Sequence, residues 1–441
     1  MARMLIATTP ADGHVNPMLS VVRQLTGRGH DVHWYTGQAY WDGVVGAGAV
    51  PESMRSGYDF GGLSKEEAFP GHAGLTGLAS FRAGMEDIFY QTAPGQMTDL
   101  LAIIERFRPD VIVSDDMCYG ACFARERIGI PLAWVGNSVY VLGSRDTAPL
   151  GYGLGPSSSR VGRFRNRLLT LAGDHLTLRT VRERADEVRA EVGLSRLDTS
   201  VMENIARRPD LYLVGTVASF EFPRTDLFER THFVGPLDLP VPDTAFDPPS
   251  WWNELDDGRP VVLLTQGTVT NDVQRLLVPA VRALADLPVL VVVTTGNSPL
   301  DPTTTSSLPR NVRVEPFLPY HRFLPHVDVM VTNGGFNGVN TALAHGVPLL
   351  VAPGSEEKAD VAARVSWVGA GISLRRRNLT SQRIRTAVGM VLNDPRYRDA
   401  AVRLRGEYLR HDGPKQAAEL IEGLVGPRGV TAVLPEAGAR W

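Results

Sequence analysis

Val329 to Ala362 reads VMVTNGGFNGVNTALAHGVPLLVAPGSEEKADVA, and this stretch decides the fold. Val327 to Val331 is a short apolar run with the look of a buried strand. Thr332-Asn333-Gly334-Gly335 turns the chain. From Phe336 to His345 the spacing is helical, with Phe336, Val339, Leu343 and Ala344 near one face. Gly346 and Pro348 stop that helix, and Val347 to Val351 forms a second apolar run. Strand, glycine-rich turn, helix and strand make a βαβ unit. Glycines at such a turn let backbone N–H groups approach an anion at the helix N-terminus, where the dipole also favours negative charge. A diphosphate is the natural guest, although a turn of this kind can also serve packing alone.

The same rhythm spreads outward. Upstream, Val261 to Thr265 and Val289 to Thr294 read as strands, with Val312 to Val314 a third. The loop from Gln266 to Asn271 follows the first of them, and Asp272 is placed to cap a helix running to Ala285. Downstream, helices are expected near Ser381 to Asn393, Pro395 to Arg410 and Pro414 to Val425. Gly235 to Pro242 is proline-rich and unpatterned, the mark of a semi-rigid linker.

Ahead of the linker a second βα series begins at the N-terminus. Arg3 to Thr8 is an apolar strand, Pro17 to Leu25 a helix with Met18, Val21 and Val22 on its inner face, and Asp31 to Tyr35 the next strand. Leu78 to Phe107 is expected to be helical, Asp110 to Ser114 a buried strand ending in Asp115-Asp116, and Arg160 to Val192 an arginine-rich helical stretch. Leu211 to Val214 and Thr231 to Val234 read as short strands. Segments 51–75 and 141–160 have loop composition, and loops of that length are usually functional or disordered. The expected architecture is α/β, with two Rossmann-like doubly wound domains facing across a cleft. The expected limits are 1–230 for the first domain, 231–250 for the linker, 251–425 for the second domain and 426–441 for a tail.

Composition narrows the class. The 441 residues suffice for two or three cores, and 43% apolar with 21% charged residues is ordinary for a globular protein. A net charge of −3 gives no reason to expect nucleic acid or an anionic membrane surface as partner. No apolar window of about 18 residues or more spans a bilayer, and the N-terminus lacks the core of a signal peptide, so cytoplasmic residence is expected. Cys118 and Cys122, four apart on a helix, read as buried free thiols. The basic residues are almost all Arg, the lysines being Lys65, Lys358 and Lys415.

The Val329–Ala362 stretch resembles the donor-binding motif of the nucleotide-sugar-dependent glycosyltransferases of the glycosyltransferase-B fold, in the bacterial natural-product, macrolide-type family. That motif runs Thr-His-x-Gly, a helix, Gly-Val-Pro, a strand, Pro-Gln, then an acidic residue and Gln. Here the matching residues are Thr332-Asn333-Gly334-Gly335, Gly346-Val347-Pro348, Pro353-Gly354 and Glu357-Lys358. The resemblance extends over nearly the whole chain, and Gly13-His14-Val15-Asn16-Pro17 matches the family's general-base motif.

It implies an inverting, metal-independent transfer of a hexose from a UDP- or dTDP-sugar to a hydroxyl of a small apolar natural-product acceptor. A free hydroxyl is a poor nucleophile near pH 7, so a base is needed, and neutral imidazole serves. The resemblance assigns that role to His14, with Asp115 orienting it and Asp116 as the next choice. It places Thr268, Phe317, Asn333, Gly334, Gly335, Asn337, Glu357 and Lys358 on the donor. Phe317 falls where an aromatic stacks on the base, and Glu357 keeps the acidic position that binds sugar hydroxyls. Three departures bear on the choice of donor: Asn333 stands for a His, Lys358 for a Gln, and Thr341 for a ribose-binding Glu. Lys358 contacts sugar or diphosphate on one reading, and pairs with Glu357 or Asp360 on the other. Asp-x-Asp, the usual diphosphate-metal triplet, is absent from the chain, and neither metal nor cofactor is expected. His321, His326 and His345 read as structural. Segments 51–90 and 137–160 are expected to hold the acceptor. The expected assembly is a monomer or homodimer. An isomerase acting on the nucleotide sugar is one rival within the same fold. A non-catalytic relative that binds a partner is another, against which His14 and Asp115 speak.

Overall fold

Short, almost wholly apolar runs become the strands of two all-parallel sheets, because a strand covered by helices on both faces needs no polar side. The computed structural model describes residues 1–75, 77–201, 209–237, 246–266, 273–296, 308–354, 357–374 and 379–425. The first sheet contains β1 Arg3–Ala7, β2 Asp31–Tyr35, β3 Val50–Glu52, β4 Val111–Asp115, β5 Leu132–Gly136, β6 Leu211–Val214 and β7 Thr231–Phe233. Its order is β3-β2-β1-β4-β5-β6-β7. The second contains β8 Val261–Thr265, β9 Leu290–Thr294, β10 Val312–Glu315, β11 Val329–Thr332, β12 Leu349–Val351 and β13 Gly371–Ser373, in the order β10-β9-β8-β11-β12-β13.

Each sheet reverses its winding once, between β1 and β4 in the first and between β8 and β11 in the second. The crevice outside the carboxyl ends of strands at such a switch point is where open α/β sheets bind ligands. The Gly13–Pro17 motif follows β1, and Asp115 ends β4. The Asn333–Gly335 turn follows β11. The motifs read from sequence thus stand at the two switch points.

Several expected limits move. The first helix begins at Asp12, so His14 lies in its first turn and not in a loop. Pro17 is then inside the helix and leaves the Gly13 carbonyl without an intrahelical partner; Gly13 is exposed, so water is at hand. The stretch expected to run from Leu78 to Phe107 divides at residues 91–92, and Pro94 sits in the first turn of the Ala93–Phe107 helix. Arg160–Val192 breaks at Gly173–Leu178 into helices Arg160–Ala172 and Arg179–Glu191.

The domain limits also shift. β7 pairs with β6, so the first sheet runs past residue 230. The last helix, Gly413–Leu424, lies on the first unit: Ala417, Ala418 and Ile421 join the core of Met18, Val21 and Leu25. Arg28 pairs with Glu419 and Glu422 at 3.0 and 3.1 Å, holding it there. The chain therefore crosses back at its end. Residues 238–245, 267–272 and 426–441, which include the expected cap Asp272 and the tail, lie outside the described residues.

The two units share core and polar contacts. Val139, Val217 and Phe220 of the first pack into the second unit's core with Val339, Val361 and Val365. Thr216 Oγ1 lies 3.1 Å from the Tyr408 hydroxyl.

Candidate active site

Residues 8–11 carry the chain from β1 into the first helix, and His14 N donates to Ala11 O at 2.9 Å. This fixes the imidazole beside the end of β4. His14 Nδ1 lies 2.9 Å from Asp115 Oδ1. Asp115 is fully buried and saturated with donors: Thr9 N at 2.7 Å, Met117 N at 2.9 Å and Thr9 Oγ1 at 3.3 Å complete its set. An ionised carboxylate only accepts, so Nδ1 carries the proton and Nε2 keeps its lone pair. The His14 side chain is 23% exposed, enough for a substrate to reach it.

Burial works against the imidazolium, yet the charge and hydrogen bond of Asp115, with the charges of Asp116 and Glu357, outweigh it and raise the His14 pKa. Glu357 belongs to the second unit, so its field reaches His14 across the cleft. Asp116 is buried too. Desolvation first, then the Asp115 charge, push its pKa up to about 7, while His14 and the Tyr212 hydroxyl, 3.1 Å from Oδ2, work the other way. Phe89 meets the His14 ring edge-on at 6.4 Å and continues to Tyr119 at 5.8 Å, an aromatic wall beside the base.

Protonation of His14 removes the lone pair a base needs. Any activity resting on it should therefore be full at high pH and fall as pH drops through the raised His14 pKa. We expect the acid limb of kcat/KM above pH 6.5, the ordinary histidine value. Asp116 titrates in the same network, so the limb belongs to coupled groups. Asp116→Asn removes an anion that favours the imidazolium and should move the limb to lower pH. A limb at or below the ordinary histidine value in the wild type, or no movement in the variant, would contradict this network.

At the second switch point, Gly334 has φ +91°, a conformation that favours glycine. A Cβ there would also lie 2.8 Å from Val351 Cγ1. Gly335 precedes the Phe336–Ala344 helix with no side-chain cap, so the first-turn N–H groups remain for another partner. Asn333 is buried and its Nδ2 donates to the Gln266 carbonyl, tying the turn after β11 to the end of β8. Thr341 Oγ1 donates to Asn337 O at 2.8 Å within the helix. Phe317 is 57% exposed, which excludes a core role and leaves its ring open to a base. Thr268 lies outside the described residues. His345 Nδ1 donates to Thr341 O at 2.8 Å, a helix-end contact in keeping with a structural role.

Lys358 is only 6% exposed, and a Cβ added at Gly354 would lie 3.6 Å from its Cδ. At that burial Lys358 is not a solvated surface cation, whether it meets the donor or pairs with Glu357 or Asp360. If the ammonium meets sugar or diphosphate, Lys358→Gln should raise donor KM by about ten- to a hundredfold, the worth of a charge-assisted hydrogen bond, and leave acceptor KM alone. Unchanged donor kinetics with two different sugar nucleotides would place Lys358 outside the site.

Sequence reading missed the residues that hold the two motifs together. Arg364, two turns beyond Lys358, donates Nε and Nη2 to Glu221 Oε1 at 2.9 and 2.6 Å. Glu221 also takes Arg224 Nη1 at 2.9 Å and, on Oε2, the Tyr140 N–H at 3.2 Å. These ions are buried. The desolvation cost is outweighed by the Arg364 and Arg224 charges, which hold the Glu221 carboxyl down at about 2. Nearby, Asp360 takes the Gly151 and Gly153 N–H groups at 2.6 and 3.3 Å. Gly153, at φ +58°, lies so close to Ala359 that a Cβ would sit 3.0 Å from its carbonyl oxygen. The segment expected to hold the acceptor is thus pinned to the helix that begins with Lys358. No local pattern announces such pairs, since Glu221 and Arg364 are 143 residues apart.

Residues 278–424 match the family described as erythromycin biosynthesis protein CIII-like, C-terminal domain. Over 424 residues, 96% of this chain and the whole of the relative, the sequence is 57% identical to the 4'-demethylrebeccamycin synthase of Lentzea aerocolonigenes. The fold is similar to that of the glycotransferase of kitacinnamycin, with TM-score 0.75, 24% identity and coverage of 96% of this chain and 99% of that one. It is also similar to the calicheamicin glycosyltransferase, with TM-score 0.74, 23% identity and coverage of 98% and 100%.

Proposed function

The chain belongs to the natural-product glycosyltransferases of the glycosyltransferase-B fold, and from that premise we propose that it is an inverting hexosyltransferase with His14 as general base. The observation that carries this reading is the 2.9 Å contact of His14 Nδ1 with buried Asp115, at the first switch point, under the charge of Glu357 from the second unit. Asp115 holds the tautomer that leaves Nε2 basic. Nε2 takes the acceptor proton as the oxygen attacks C1 of the sugar from the face opposite the leaving diphosphate. Asp115 then stabilises the imidazolium, and the proton passes to solvent through the exposed edge of the ring.

The leaving UDP or dTDP is received by the uncapped N-terminus of the Phe336–Ala344 helix, where backbone N–H groups and the dipole favour an anion. Gly334 and Gly335 allow that approach, Asn337 borders it, and Phe317 offers an open aromatic face for the base. Glu357 and Lys358 take the sugar side, while Asn333 braces the turn. The acceptor lies between segments 51–90 and 137–160, against Phe89 and Tyr119, as suits a small apolar natural product.

The test is a donor screen by thermal shift with UDP- and dTDP-hexoses, followed by mass analysis with aglycone pools. Because a relative of 57% identity is a 4'-demethylrebeccamycin synthase, compounds that could precede 4'-demethylrebeccamycin belong in the pool. A product heavier by one hexose, formed with release of nucleoside diphosphate, is expected. Donor conversion without any acceptor would point to an isomerase instead.

Since the chain lacks Asp-x-Asp and the leaving charge is assigned to backbone donors at the helix N-terminus, turnover should survive EDTA. Complete loss restored by Mg²⁺ or Mn²⁺ would show that a metal takes that charge.

A further inference from the structure

The Arg160–Ala172 helix is built inside out. Its face toward the protein includes Gly162 and Asn166, both buried, with Asn166 Nδ2 donating to Arg145 O at 3.1 Å and Ser159 Oγ capping Gly162 N at 3.0 Å. Its apolar side faces out. Val161, Phe164, Leu168 and Leu171 follow the three-and-four spacing of one helical stripe, and Leu176 extends it in the next turn. These five side chains are 49–80% exposed. Scattered exposed hydrophobics are ordinary, but five in register on one ridge reverse the usual arrangement of a surface helix.

The charge on the helical part of this ridge is of one sign, while Asp174, in the turn before Leu176, is half-buried and accepts from Ser200 Oγ at 2.9 Å. The helix has four arginines and no acidic residue. Arg163 is committed to Asp146 at 2.7 Å, whereas Arg160 and Arg167 flank the stripe and are exposed. Arg179, beyond the turn, is shared with Glu183 at 2.8 Å. The overall charge of −3 conceals this local excess.

We propose that this helix docks the protein on an anionic lipid surface, lying in the headgroup plane with the stripe at the acyl boundary. A helix with an outward apolar stripe, flanking arginines and no acidic residue, as in Arg160–Ala172, is the pattern of an interfacial helix. Charge complementarity selects the occupant. A second copy related by two-fold symmetry would set arginines against arginines. A soluble partner would need an apolar groove with an acidic rim shaped to a convex ridge, whereas a bilayer yields to it and supplies the negative charge. The ridge follows segment 141–160 in the chain, and Ser159 of that segment caps its helix. The inference is independent of the transferase reading, because it concerns binding alone.

The test is co-flotation of the full chain with vesicles of mixed phosphatidylglycerol and phosphatidylcholine, against vesicles of phosphatidylcholine only. Binding to the anionic vesicles, weakened by high salt, is expected. Arg160→Gln and Arg167→Gln should each lower partitioning about fivefold. Phe164→Ser with Leu168→Ser should abolish flotation while circular dichroism and donor-induced thermal shift stay as in the wild type. Absence of flotation with anionic vesicles, or flotation unchanged in the serine pair, would overturn the proposal. So would a solution dimer that the serine pair dissociates, since it would assign the ridge to a second copy. Saturable binding of a soluble protein with no vesicle binding would do the same.

Discussion

His14→Ala is expected to lower turnover on an alcohol acceptor by about 10²–10⁴-fold and to leave donor binding nearly intact. The residues proposed for the donor stand on the second unit, whereas His14 stands on the first, so the substitution removes the proposed base without touching the Asn333–Gly335 turn or Lys358. The cavity left beside Asp115 is small and open to solvent, because His14 is only partly buried. Asp115→Asn should act through the same step: a carboxamide can offer Nδ2 instead of an acceptor oxygen, which frees the ring to turn or change tautomer. The two substitutions belong to one unit, so the double variant should be little worse than His14→Ala alone. Single-turnover rates with a saturating donor, beside calorimetric donor titrations, separate the two effects. Retention of more than a tenth of wild-type turnover in His14→Ala would remove His14 from the base role.

The second large effect concerns stability. Arg364→Ala leaves Glu221 buried with Arg224 as its remaining charged partner and strips the link between the Lys358–Trp367 helix and the Tyr140 backbone. Breaking a buried pair from one side costs about 3–5 kcal/mol, or roughly 6–20 °C in Tm for a unit of this size. Removing all three charges with Arg364→Met, Glu221→Leu and Arg224→Met should restore part of that loss, because no unpaired ion of the cluster then remains. The pair also has a pH signature. The Glu221 carboxyl titrates at about 2 in the folded chain against 4.5 ordinarily. Its stabilisation is therefore complete above the ordinary value and is lost as pH falls toward 2. Arg364→Ala should flatten that acid limb of stability. Denaturation within 1 kcal/mol of wild type, with the acid limb unchanged, would mean that the pair carries no net load.

The two sheets were legible because buried parallel strands are written as apolar runs. Arg3–Ala7, Val261–Thr265 and Leu290–Thr294 need no context. Helix limits were less legible. Asp12 opens its helix from a residue with no side-chain cap at Ala11, and a proline inside the helix is an ambiguous signal. The domain limits failed where tertiary packing overrode chain order: Gly413–Leu424 has an apolar face like any other helix, and nothing local says which core receives it.

Of the candidate site, His14 and Asp115 were readable through motif and strand position, and they are in contact. Glu221 and Arg364 were not, because an ion pair across two units depends on a register that only the folded chain sets. Lys358 was conspicuous as one of three lysines in the chain, and its burial could not be read from that count.

The anomeric configuration of the product tests the central claim most directly. If the acceptor oxygen, deprotonated at His14 Nε2, displaces the diphosphate in one step, an α-linked hexose donor must give a β-linked product. The anomeric proton coupling in the NMR spectrum of the isolated glycoside reads this without reference to any variant. A β-glycoside is the result this account requires, and an α-glycoside would contradict direct displacement by a base-activated acceptor.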